Sequence, residues 1–148
     1  MRPMSFNHPA LRVVLAGLCL AVFAGVVRAV QAPAGTEGWQ IPDGAAEEQN
    51  PVPADPAGLA RGRELYRAKC QRCHGSDGKG RGPDADPNHA PSDLTDARRA
   101  SRNPDGVMFY KIWNGRSRPK MPAMKADISR MEVWTIIRYV KTLRRSDE

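Results

Sequence analysis

Apolar residues fall in four stretches of the chain, separated by polar sequence rich in proline and glycine. The first, residues 13–27, is unbroken by charge and follows Arg2 and Arg12. At about 15 residues it has the length of a signal-peptide core and falls short of the roughly 20 needed to span a bilayer. Residues 1–29 therefore read as a signal peptide or a retained N-terminal anchor, and the remainder as exported.

The other three stretches have helical spacing. Asp55-Pro56 reads as an N-cap followed by proline in the first turn. It opens a helix over about 57–70, with Leu59, Gly62, Leu65, Tyr66 and Lys69 at helical intervals. Gly62 within that helix points to a close approach by another element. A second helix is predicted over 104–113, capped by Asn103, opened by Pro104 and closed by Asn114-Gly115. The third is marked by an S-x-x-E capping box, Ser129 and Glu132, with Ile128 placed to staple onto Val133. Val133, Ile136, Ile137, Val140 and Leu143 form its apolar stripe. Lys141, Arg144 and Arg145 complement the negative end of its dipole. No strand pair is evident, so the domain is expected to be all-α.

Between these helices, residues 75–102 read as a long loop, punctuated by Gly, Pro, Asp, Asn and Ser. Three short helices and so long a loop make a thin core for roughly 90 residues, and something large must pack beneath the loop. Residues 30–56 are rich in Pro, Ala, Gly and Glu, with Trp39, Ile41 and Val52 as the only large apolar side chains. That composition predicts a disordered linker. The expected organisation is a signal or anchor over 1–29, a linker over 30–56 and a folded domain over 57–148.

Charge sharpens the division. The 148-residue chain carries a formal net charge of +7. Residues 30–56 hold five acids and no Lys or Arg, whereas residues 57–148 hold 20 basic and 11 acidic side chains. A basic module on an acidic tether speaks to partners rather than to fold. No nucleic-acid-reading motif accompanies the basic balance, so nucleic acid is not an expected partner.

Three cysteines are too few for a disulfide scaffold. Cys19 lies in the first apolar run, but Cys70-Gln71-Arg72-Cys73-His74 is a C-x-x-C-H signature. Cysteines at i and i+3 share one side of a helical turn, where each can form a thioether with a haem vinyl group. Histidine at i+4 then presents its imidazole to the iron. A zinc site would need further ligands, and only His89 is near. A redox CxxC would need a βαβ context, and a structural disulfide is the third alternative. Haem attachment is favoured over all three, and the haem would supply the apolar mass that the thin core lacks.

The sixth iron ligand is less direct. Met108 and Met131 fall within predicted helices, where core packing is the ordinary role. Met121 lies in Pro119-Lys120-Met121-Pro122-Ala123-Met124, held out of helix by prolines on both sides. It is the preferred ligand, ahead of Met124, with His89 as a histidine alternative.

These motifs together resemble the class I (monohaem) bacterial cytochromes c. The resemblance runs from Gly62-Arg-Glu-Leu-Tyr66 through Cys70-x-x-Cys73-His74-Gly75 to the glycine-rich Gly78-Lys-Gly-Arg-Gly-Pro83. It continues with Pro91-Ser-Asp-Leu94-Thr95, Asn114-Gly115, Met121-Pro122-Ala123 and the terminal Val133 to Leu143 stretch, covering about residues 57–144. It implies one covalent haem c and an electron-transfer role rather than an enzyme's. It implies that the Pro83 carbonyl accepts from the second His74 nitrogen, and that Leu94 packs on the haem. It also implies that Gly62 and Tyr66 cross Tyr139 where the first and last helices meet. Met124 departs from the pattern, standing where many relatives carry an aromatic. The expected partners are a redox donor and acceptor with acidic docking surfaces. Lys79, Arg81, Arg116, Arg118, Lys120 and Lys125 would steer them, in a small carrier or a haem subunit of a membrane complex.

Overall fold

The computed structural model describes residues 38–144. The signal or anchor expectation for residues 1–29 lies outside them, as does Arg145. Five helices follow in order: α1 (Pro56–Lys69), α2 (Gln71–His74), α3 (Ala97–Ser101), α4 (Asp105–Asn114) and α5 (Arg130–Leu143), preceded by one 3-10 turn at Ala45–Glu47. Among the described residues there is no named strand, and a single antiparallel bridge pairs Arg116 with Met121. The fold is all-α.

Local chemistry sets the helix ends. The Asp55 carboxylate accepts from the Gly58 N–H at 2.7 Å, with Pro56 opening α1. Ser129 and Glu132 form the full capping box at the start of α5. At α4 the sequence reading is off by one residue. Pro104 occupies the cap position and makes no side-chain cap bond. Asn103 instead turns its amide to the Arg99 carbonyl and accepts from Lys111. The long predicted loop also contains α3, whose start is capped by the Asp96 side chain on Arg99 N–H. Five residues are too few for a hydrophobic period to announce a helix.

α1 crosses α5, and the crossing explains the helix glycine. A Cβ on Gly62 would lie 2.6 Å from the Thr135 carbonyl oxygen and 2.9 Å from Tyr139 Cβ. The Tyr66 and Tyr139 rings meet there, 5.4 Å between centroids. The core gathers around this crossing and α4. Phe109, Val133, Ile136 and Ile137 are fully buried, and Phe109 stacks on Trp134 at 4.4 Å.

The linker expectation fails for residues 38–55. They form a packed strap across α4 and α5. The Ala45 carbonyl sits against Gly106, where a side chain would leave no room. Val52 joins the core cluster. Buried Asn50 donates to the Trp134 carbonyl at 2.9 Å and accepts from Val52 N–H at 2.9 Å. Arg138 donates to the carbonyls of Val52 and Asn50. Trp39 lies beneath the Arg116 guanidinium, 4.3 Å from ring centroid to Cζ, and Tyr110 Oη donates to Glu48. Composition averages over the strap and hides its anchors. Trp39, Val52, Ala45 and Asn50 are enough because their binding sites lie in later parts of the chain.

Candidate functional site

The attachment motif is one helical turn. Cys70 ends α1 and caps α2, and its carbonyl accepts from Cys73 N–H at 3.2 Å and His74 N–H at 2.9 Å. This bonding puts Cys70, Cys73 and His74 on neighbouring rungs of one turn. Both thiols are free and half-buried, so the disulfide alternative is not realised. Burial, with Cys73 adding to it, pushes the Cys70 thiol up to about 12. No group of three or more His, Cys, Asp or Glu among the described residues could hold a metal ion. The motif therefore lacks the convergent ligand set that zinc requires.

His74 is held by one ring nitrogen only. Its Nδ1 lies 3.3 Å from the Ser92 carbonyl oxygen, and Nε2 has no hydrogen-bond partner among the described residues. With Nδ1–H donating to that carbonyl, the lone pair rests on Nε2. Burial holds the imidazole below its ordinary value, opposed by the Ser92 carbonyl, so the neutral, ligating form is favoured. The resemblance assigned this carbonyl to Pro83, and the geometry gives it to Ser92. Pro83 stands in a turn bonded back onto the attachment helix, with Gly82 N–H on the Cys73 carbonyl and Asp84 N–H on the Arg72 carbonyl. The segment that reaches the histidine is 91–94, pinned by Leu94 N–H on the Gly78 carbonyl at 2.8 Å.

Two devices fasten the loop to the motif. Arg72 grips Asp84 with a two-pronged ion pair, Nη2 to Oδ1 at 2.9 Å. Tyr66 Oη donates to the Gly75 carbonyl at 2.7 Å. Burial raises the Tyr66 hydroxyl well above its ordinary value, so it remains a donor. Neither Ser92 nor the Arg72–Asp84 pair was legible in the sequence. The first acts through its backbone, and the second joins residues 12 apart with no periodic signal.

The four methionines among the described residues sort by environment. Met108 is buried in α4 and its thioether accepts from Arg144 at 3.1 Å. Met131 is exposed on α5. Met124 is buried in the core, with its N–H on the Ile112 carbonyl at 3.0 Å. Met121 alone sits half-buried outside a helix, its backbone bonded both ways to Arg116 at 2.9 Å. His89 is exposed and paired with Asp86 at 3.3 Å. Cys70, Leu94, Met121 and Leu143 are among the partly buried apolar side chains that flank the core.

A haem fits these residues. It requires two free thiols a helical turn apart, a histidine with one nitrogen fixed and the other free, and apolar side chains only partly covered by the chain itself. All are present. An all-α domain carrying this site is a monohaem c-type cytochrome, with covalently attached haem c and an electron-carrying role. Residues 57–140 match the family model for cytochrome C oxidase, cbb3-type, subunit III, and the chain belongs to that family. A search of curated proteins finds no match.

Proposed function

We propose that the haem is linked through Cys70 and Cys73, with His74 and Met121 as axial ligands, and that the chain works as the exported haem-bearing subunit of a membrane oxidase assembly. The observation that carries this reading is the His74 imidazole, with Nδ1 fixed by Ser92 and Nε2 free beside two free cysteines. When bound, the haem supplies a one-electron ferrous/ferric couple whose potential a thioether ligand raises.

The chain's own residues orient and shield that couple. The Ser92 carbonyl sets the His74 tautomer and ring plane and raises the basicity of Nε2. The two-way bridge to Arg116 holds Met121 in an extended segment that cannot join a helix. Leu94 and Leu143 meet around Gly78, 3.6 Å and 2.9 Å from where its Cβ would stand, and provide apolar cover. Arg118, Lys120 and Lys125, all exposed around Met121, are the docking charges for an acidic partner. Of the other residues expected in that role, Arg81 is paired with Asp77 and Arg116 is spent on Trp39.

Residues 57–144 bear the haem. Residues 1–29 direct export and place the domain on the periplasmic side of a respiratory membrane. No helix among the described residues is long and apolar enough to cross a membrane, so embedding falls to the assembly or to the N-terminal segment.

Purification of the full chain from native membranes tests the assembly reading. Co-purification with integral membrane subunits is expected, and recovery as a free soluble monomer would replace the subunit with a mobile carrier. Cys70→Ala with Cys73→Ala should abolish haem that survives denaturing electrophoresis.

A further inference from the structure

On the reading of Met121 as the sixth iron ligand, we infer that Trp39 is a positioning residue for it. Trp39 clamps Arg116, and Arg116 holds the Met121 backbone in place. The Arg116 N–H donates to the Met121 carbonyl, and the Met121 N–H donates to the Arg116 carbonyl, each at 2.9 Å. The Arg116 side chain closes the same turn once more, with Nε donating to the Pro119 carbonyl at 3.0 Å. Just before it, a Cβ on Gly115 would meet the Met121 carbonyl, so the two sides of the turn are packed backbone to backbone.

Arg116 is itself held from outside the turn. Its Cζ stands 4.3 Å from the Trp39 ring centroid, where the ring face attracts a guanidinium. Both side chains are half-buried. Neighbouring residues repeat the connection. Asn114 Nδ2 donates to the Gln40 carbonyl at 2.9 Å, and a Cβ on Gly38 would come 3.7 Å from the Arg118 carbonyl oxygen. Lys111 Nζ approaches the same ring, at 5.3 Å from its centroid, which ties Trp39 to α4 as well. Further along the strap, Glu48 accepts from Tyr110 and Asn50 donates to the Trp134 carbonyl. The strap thus joins the ligand turn to the bodies of α4 and α5.

That connection matters because of the ligand's chemistry. A thioether brings no charge to ferric iron, so its hold depends on a backbone that keeps the sulfur within reach. Groups behind a ligand orient it and tune its bond, and a loosely supported ligand is lost first. Met121 lies on a turn rather than a helix, and Arg116 is the residue that brackets it. Removing Trp39 therefore loosens Met121 without touching it.

The test uses the full-length, haem-loaded ferric protein, with free imidazole as the competing ligand. At saturating imidazole, the rate of ligand exchange is limited by departure of the native sixth ligand. Trp39→Ala and Arg116→Ala should each raise that limiting rate about tenfold. The double variant should be no faster than the faster single one, because both act through one contact. Trp39→Phe keeps a ring face and should exchange at nearly the wild-type rate. Trp39→Leu keeps apolar bulk without a ring face, so it should be accelerated, and it answers the question where Trp39→Ala does not fold. Ile136→Val, a core substitution away from the strap, controls for lost stability and should leave the rate unchanged. Unmoved rates in Trp39→Ala or Trp39→Leu overturn the proposal. So does equal acceleration by Ile136→Val, or accelerations that multiply in the double variant. Met121→Ala separates the two claims. If its ferric spectrum stays low-spin, the ligand reading falls and this proposal falls with it. If it turns high-spin while Trp39→Ala exchanges at the wild-type rate, the proposal alone falls.

Discussion

At the scale of the residue, two methionines three positions apart do different work. Met124 is buried in the core, so Met124→Ala should leave a cavity and cost about 2–5 kcal/mol while leaving the low-spin ferric spectrum intact. Met121 is half-buried and bonded through its backbone, so Met121→Ala should cost less stability and convert the ferric spectrum to high spin. Denaturant titration and absorption spectroscopy of the two variants check both halves, and swapped outcomes would move the ligand to Met124. Met121 stood out in the sequence because prolines flank it. Ser92 did not, since a backbone carbonyl leaves no mark on residue identity. The Pro83 expectation shows the same limit. The glycine-rich turn was visible, but whether its proline or the later 91–94 segment reached His74 depended on how Leu94 pairs with Gly78.

At the scale of the element, helices long enough to show a hydrophobic period were legible and the five-residue α3 was not, although Asp96 caps it. α5 carries a capping box and a five-residue stripe, and it begins where the box predicts. α3 is five residues long and was read as loop. The Glu132 carboxyl is held below the usual range by the Ser129 backbone N–H, the Ser129 hydroxyl and Arg61. A carboxylate depressed in the folded state contributes stability above its unfolded value, near 4.3, and loses it as pH falls through the folded value. The stability gap between wild type and Glu132→Gln should therefore be full at neutral pH and shrink below about pH 4. A gap independent of pH would show that the charge adds nothing to the cap. The strap makes a second test. Asn50→Ala removes a buried donor and acceptor, leaving the Val52 N–H without its partner and the Trp134 carbonyl with its helical bond alone. It should cost about 1–3 kcal/mol and accelerate amide exchange over 45–52 before the rest of the domain. Uniform acceleration would mean that the strap opens only with the whole fold.

At the scale of the molecule, charge and shape divide the labour. Arg118, Lys120 and Lys125 surround the Met121 segment, so replacing all three with Gln should slow association with an acidic redox partner about tenfold at low salt. The difference should vanish as ionic strength rises and screening shortens to a few ångströms, as stopped-flow electron transfer would record. A variant equally slow at high salt would point to lost contacts rather than lost steering. The domain's extent was under-read because sequence locality was mistaken for structural independence. Residues 38–55 look unable to fold, and alone they are, since every surface they need lies between 105 and 138.

That separation imposes an order in time. A chain that emerges N-terminus first exposes the strap, then Cys70 to His74, and only afterwards Gly106, Trp134 and Arg138. The strap has nothing to fasten to while the attachment turn is being delivered. The cysteines therefore pass through a window in which α4 and α5 have not yet closed over them, and the same residues that finish the fold also end that window.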